Sequence, residues 1–163
     1  MKVRQLSLMA MLVALGTVTA HVVSIPVGAA RVFPMQHAIN VIAAVLLGPA
    51  GAGLVALLIS LLRNLMGVGT LLAFPGSIVG AVLAGCLYRL RPQVIFAAIG
   101  EVIGTGLLGA LLSFPLAKFI LGKPVLAYTY IIPFSLSSLG GALIGYLIIR
   151  TIAGTGSINR RRP

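Results

Sequence analysis

Tryptophan is absent from this chain of 163 residues, cysteine occurs once, and aspartate and glutamate together supply a single residue, Glu101. Each scarcity removes a class of chemistry. The lone Cys86 excludes an internal disulfide, and in its apolar run it reads as an inert buried thiol. One cysteine, two histidines and one acid leave little for a structural metal site, so neither a metal nor a cofactor is expected. No G-x-x-x-x-G-K-[ST] stretch is present, so the chain does not hydrolyse ATP through a P-loop of its own. Any energy source is an ion gradient or a partner. The expectation is binding without catalysis: not an enzyme.

What the chain has in abundance is apolar surface. Hydrophobic residues make up 60% and charged residues only 8%, against roughly 25% charged in a soluble domain. Mean hydropathy is +1.16. No soluble fold hides that much apolar area, so the class is a polytopic membrane protein. The net charge of +11 would suggest nucleic acid in a soluble chain. Here the basic residues sit at the ends of apolar runs, which points to the anionic cytoplasmic leaflet of a bilayer.

The runs predict an all-α integral membrane protein with six transmembrane helices. The first covers about 6–25 and carries Ala10-x-x-x-Ala14, small residues on one face that let another helix approach closely. Its basic start and Val18-Thr19-Ala20 also spell a signal peptide. The run continues past Ala20 and later segments are equally apolar, which favours the helix. A loop over 26–36 leads to a short second helix, 37–48, ended by Gly48-Pro49 and a tight turn to Gly53. That helix is short of the roughly 20 residues that span a hydrocarbon core. The third helix runs to about 66, the fourth over 75–90 with Gly76-x-x-x-Gly80, the fifth over 93–121, and the sixth over 128–150 with Gly141-x-x-x-Gly145. Residues 1–150 are expected to form one domain, and 151–163 a basic cytoplasmic tail.

Basic residues set the orientation. Lys2, Arg4, Arg89, Arg91, Arg150, Arg160, Arg161 and Arg162 fall on one side, and Arg31, Arg63, Lys118 and Lys123 on the other. The richer side is cytoplasmic, so both termini are placed there. Polar residues then concentrate in the outer halves of the helices, where lipid exposure is costly and an outward-opening pocket is the economical reading. The inner halves carry no matching polar route, as a self-sufficient ion-coupled carrier would need. Candidate pocket residues are Phe33, Met35 and Phe74 as apolar walls and lid, and Gln36, His37, Asn40, Arg63, Asn64, Glu101, Ser113 and Ser135 as polar groups. Tyr128 or Tyr130 closes the outer end.

Two readings stand open at several positions. Glu101, near mid-membrane, either meets Arg63 (directly, through Asn64 or through ligand) or is protonated and hydrogen-bonded to a neighbouring helix. His37 is a ligand contact or a satisfied helix-start histidine. Tyr128 and Tyr130 close the pocket or belong to an interfacial aromatic belt. Arg31 and Arg63 favour a phosphorylated or acidic ligand, or Arg31, with Lys118 and Lys123, is a solvated or snorkelling charge. Ser113 and Ser135 face the pocket or bond back to their own helices. Gly104-x-Gly106-x-x-Gly109 spells a dinucleotide fingerprint, but it falls mid-helix with no strand before it and reads as close helix packing.

Phe33-Pro-Met-Gln-His-Ala-Ile-Asn40 with Gly48-Pro49, then Arg63-Asn64, Gly69-Thr-Leu-Leu-Ala-Phe-Pro-Gly-Ser77 and Gly100-Glu-Val-Ile-Gly-Thr105 resemble a known family. They are similar to substrate-capture subunits, or S components, of energy-coupling-factor transporters, specifically the ThiW type assigned to the thiazole precursor of thiamine. The resemblance implies a six-helix bundle that captures a small vitamin-like molecule from outside. It also implies a transmembrane coupling subunit (EcfT) and two ATPase subunits as partners. Ala10 and Ala14 are where it places docking on the coupling subunit. Hydroxyethylthiazole or a close analogue is the ligand it suggests, with the pyrimidine half of thiamine as an alternative. A stand-alone, gradient-driven permease is the rival class. The chain begins Met1-Lys2 rather than Met-His, which disfavours nickel or cobalt as cargo.

Overall fold

A glycine followed by a proline divides the longest apolar run of the chain. Proline lacks the N–H that an interior helix position needs, and Gly48 takes the left-handed backbone conformation, φ +74°, at that point. The consequence is a reversal. Helix α2 (Pro34–Leu65) is bent double at Gly48, so that Gln36 from its first arm donates to the Ser60 hydroxyl of its second at 3.0 Å. Both arms pack on α1 (Val3–Val22): the absent side chain of Gly16 makes room for Ile39 of one arm and Ile59 of the other.

This computed structural model describes residues 3–27 and 30–154. Lys2 and the expected tail from 155 on, with Arg160, Arg161 and Arg162, lie outside the described residues. After α1 the chain forms a small antiparallel hairpin, β1 (Ile25–Val27) and β2 (Ala30–Val32), with Pro26 opposite Arg31. Helices α3 (Ala73–Leu90), α4 (Val94–Ile103), α5 (Ala110–Pro115) and α6 (Ile131–Gly154) complete the bundle. The π-helical turns Gly104–Gly109 and Leu116–Ile120 join α4 and α5 into one continuous span over Val94–Ile120. Pro115 offers no donor, and past it Leu121 N–H reaches back five residues to Leu116 at 3.0 Å.

Among the described residues, five helices are long and apolar enough to cross a membrane. Six spans were expected; the difference is α2, whose two arms are one helix broken at a single residue. Residues 49–53, expected as a turn, are already helical. The expected loop at 26–36 instead holds the hairpin and the first helical residues, with Pro34 at the start of α2, the position where its missing N–H costs nothing.

Small residues set the helix spacing. A Cβ on Gly104 would lie 2.7 Å from the Gly80 Cα, one on Gly100 2.7 Å from the Ala84 Cα, and one on Gly109 2.5 Å from the Gly76 Cα. The dinucleotide-like glycines are therefore packing residues, Gly104 and Gly109 seated one turn apart on α3 and Gly106 against Ser135 of α6. Gly141 and Gly145 do the same for α6, against Pro34 and Ala38 of α2. Among the described residues, the fully buried core at the Gly48 end is apolar: Leu12, Ala44, Ala52, Val55, Ala81, Ala84, Ala97, Ala142 and Ile149 are buried there.

Gly48→Ala tests the reversal. A side chain in the left-handed region costs about 1–2 kcal/mol, and here it would also crowd the Arg89 guanidinium. Thermal unfolding in detergent is expected to shift down accordingly; an unchanged midpoint would contradict a left-handed Gly48.

Candidate functional site

The end of the bundle away from Gly48 collects the buried polar side chains. Gln36, His37 and Asn40 come from the first arm of α2, Ser60 and Arg63 from its second, Ser77 from α3, Glu101 from α4, and Ser137 from α6. Helical periodicity explains the first group: positions 36, 37 and 40 share one face, and that face turns inward. A buried polar group without a partner costs roughly 1–3 kcal/mol, so these groups bond to one another.

They form one chain of contacts. The Arg63 guanidinium donates to Gln36 Oε1 and to the Val68 carbonyl at 3.3 Å. Gln36 Nε2 donates to Ser60 Oγ and to Ser77 Oγ at 2.8 Å. Asn40 Nδ2 donates to Ser77 Oγ at 3.0 Å and to Glu101 Oε1 at 2.9 Å. The same carboxylate oxygen meets His37 Nδ1 at 2.7 Å and the Thr105 hydroxyl at 3.0 Å. Arg63 and Glu101 are thus linked, but through Gln36, Ser77 and Asn40. The expected contact between them, direct or through Asn64, is absent: Arg63 is turned toward Gln36, and Asn64 bonds the Ser60 and Thr70 carbonyls instead.

Above this layer lies a cavity of about 80 Å³, lined by Arg31, Phe33, Gln36, His37, Arg63, Thr70, Ala73, Gly76, Ser77, Thr105, Pro133, Phe134 and Ser137. At about 10–15 Å³ for each water-sized sphere, it suits a molecule of several heavy atoms. Phe33 is held at one side by its N–H donating to Ser137 Oγ at 2.7 Å and by the Arg63 guanidinium, 3.8 Å from its ring centroid. Phe134 stands opposite, over Gly76, whose lack of a side chain admits the ring. Arg31, on the hairpin, is exposed and bonds Ser24 at 3.5 Å. Aromatic and apolar walls with a few convergent polar groups are the usual makeup of a small-molecule pocket.

Of the residues singled out from sequence, Phe33, Gln36, His37 and Arg63 line the cavity, and Asn40 and Glu101 lie directly beneath it. Met35, Asn64, Phe74, Ser113, Tyr128, Tyr130 and Ser135 are not among its lining residues. Ser113 bonds the Leu72 and Gly109 carbonyls and ties α5 to the start of α3. Ser135 packs against Gly106. Tyr128 is exposed, and Tyr130 stacks on Phe134 with ring centroids 5.9 Å apart; partial burial raises its phenol pKa. Thr105, Ser77 and Ser137 join the lining without having been chosen. Thr105 had a signal, one helical turn after Glu101 on the same face. Ala10 and Ala14 are exposed, on the side of α1 opposite its buried Met9, Leu12, Val13 and Gly16. Among the described residues no cluster of His, Cys, Asp or Glu could hold a metal ion.

Ser77 is the junction of the polar chain. Ser77→Ala would leave one Gln36 N–H short of an acceptor, while Asn40 keeps Glu101 and the Ser77 carbonyl at 3.3 Å, and a loss of about 1–3 kcal/mol of stability is expected. Thermal unfolding in detergent measures it; a shift no larger than that of an exposed serine variant such as Ser7→Ala would contradict the junction role.

Comparison with known proteins gives one match. No curated protein and no solved structure matches the chain. A family model described as thiamine-precursor transporter protein (ThiW) matches residues 6–155, a stretch that takes in all the described helices except the first three residues of α1, and every residue lining the cavity. With its apolar spans and its small polar-floored cavity, the chain belongs to the ThiW family of thiamine-precursor transporters.

Proposed function

We propose that the chain is the membrane-embedded substrate-capture subunit of an ATP-driven importer of the energy-coupling-factor kind, with hydroxyethylthiazole as its ligand. The observation that carries this reading is the one-sided distribution of polarity. The cavity and its hydrogen-bonded floor occupy one end of the bundle, and the buried core at the Gly48 end is apolar among the described residues. A molecule held in the cavity has no polar path onward through the protein. Capture is built in; passage requires something else.

The distribution of basic residues supports the orientation. Arg89, Arg91 and Arg150 lie at the Gly48 end, which the positive-inside rule assigns to the cytoplasm. The cavity then opens outward, under the hairpin that carries Arg31. On this reading the two arms of α2 count as separate membrane segments, six in all, and both termini are cytoplasmic. The first arm, residues 34–47, reaches roughly 20 Å at 1.5 Å per residue, less than a roughly 30 Å hydrocarbon core. Its polar start therefore sits below the outer surface, at cavity depth.

The ligand assignment rests on family and size. A small heteroaromatic ring fits between Phe33 and Phe134, and a polar tail reaches His37, Thr105 or Ser77. With no P-loop in the sequence, ATP hydrolysis falls to partner ATPases, joined through a transmembrane coupling subunit. The exposed Ala10 and Ala14 face of α1 is unused within the bundle and admits close approach of a partner helix.

Calorimetry on the detergent-solubilised protein is expected to detect hydroxyethylthiazole binding, weakened at least about tenfold, or 1.4 kcal/mol, by Phe33→Ala or His37→Leu. A combined Ala10→Leu and Ala14→Leu variant is expected to bind normally yet lose ATP-dependent uptake in cells. Ligand uptake by the purified chain alone, in proteoliposomes without ATP, would sink the importer reading in favour of a gradient-driven permease.

A further inference from the structure

His37 lines the cavity with one ring nitrogen committed and one free. Nδ1 lies 2.7 Å from Glu101 Oε1, whereas Nε2 has no protein partner among the described residues. The buried polar atoms that lack a partner are Asn40 Oδ1, Arg63 Nε and Glu101 Oε2. Nε2 is not one of them, so it is reached from the cavity that the residue lines.

The proton on this imidazole is assigned by what surrounds Oε1. Asn40 Nδ2, an amide nitrogen that only donates, bonds the same oxygen at 2.9 Å. Oε1 therefore accepts, and with the carboxyl ionised it has no proton to give, so the ring nitrogen 2.7 Å away bonds it by donating. A neutral imidazole with Nδ1 protonated presents Nε2 as an acceptor. We propose that Glu101 is a positioning residue for His37: it holds the Nδ1–H tautomer and turns Nε2 into the cavity as an acceptor, so that the site selects a ligand with a free hydroxyl over its methyl ether or phosphate ester.

The other charged groups near the cavity fit a neutral ligand. Arg63 spends its guanidinium on Gln36, the Val68 carbonyl and the face of Phe33. Its Nε is buried without a partner and out of reach of the cavity, so the edge that pairs Nε–H with a terminal N–H for bidentate contact with phosphate is closed to a ligand. Arg31 is exposed at the mouth and bonds Ser24. Behind the imidazole stands the Glu101 carboxyl, which opposes a dianionic phosphate.

This inference takes its ligand probes from the reading above, but its first test needs no ligand. Nitrogen NMR on the full chain labelled at histidine reads His37 directly. The only other histidine is His21, and His21→Gln assigns the signals. Wild-type protein is expected to show Nδ1 protonated and Nε2 unprotonated, Glu101→Leu to lose that preference, and Glu101→Gln, whose amide oxygen still accepts from Nδ1–H and Asn40, to restore it. A protonated Nε2 in wild-type protein overturns the proposal. The second test compares hydroxyethylthiazole, its methyl ether and its phosphate ester by calorimetry. Wild-type protein is expected to favour the alcohol by about tenfold, in line with a hydrogen bond lost to a buried group, and Glu101→Leu to narrow that ratio to within about threefold. Equal binding of alcohol and ether by wild-type protein overturns the selection. Should none of the three bind while Nε2 is unprotonated, the thiazole reading fails and the Glu101–His37 pairing stands.

Discussion

A buried arginine and a buried carboxyl on different helices of an apolar bundle are the constraint to which the rest of this structure answers. Both are withdrawn from bulk solvent, and they do not touch. Gln36, Ser77 and Asn40 bridge them, and each bridge joins two helices: Gln36 the second arm of α2 to the first, Ser77 the first arm to α3, Asn40 the first arm to α4. One continuous set of hydrogen bonds therefore fixes the rotation of four helical segments about their axes. The cavity inherits its floor from that set.

Such bonds require backbones at close quarters, and glycine supplies the spacing. Gly76, Gly80 and Ala84 of α3 meet Gly109, Gly104 and Gly100 of the Val94–Ile120 span with no side chain between them. At that separation Thr105 bonds both the Gly76 carbonyl and Glu101, each at 3.0 Å. The π-helical turn at Gly104–Gly109 belongs to the same adjustment. It packs on α3 at both ends, Gly104 on Gly80 and Gly109 on Gly76, and between them carries Thr105 to the cavity lining; such turns are often found at functional sites.

Most of this was legible in the sequence as depth, and little of it as direction. Apolar runs, Gly48-Pro49 and the ends marked by arginine placed each polar residue at a level in the bundle. In the structure Gln36, His37, Asn40, Arg63 and Glu101 lie at one level, in or just beneath the cavity lining. Which way each side chain points depends on helix rotation, which weak amphipathicity leaves open when lipid and core are both apolar. Asn64 follows Arg63 by one residue, about 100° around the helix, and so holds the loop at Thr70 instead of facing the cavity. Ser135 and Ser137 swap roles for the same reason. The hairpin at 25–32 has strands of three residues, too short for alternation to register. The route from Arg63 to Glu101 was hidden because it runs through Ser77, a small residue whose importance comes from its position between two amides.

The apolar core at the Gly48 end has a consequence of an electrical kind. Moving an unpaired ion into such a region costs tens of kcal/mol in the idealised limit, and among the described residues no polar side chain there offers a stepping stone. That half of the bundle is an insulator. An ion held in the cavity meets no fully buried polar side chain toward the Gly48 end among the described residues.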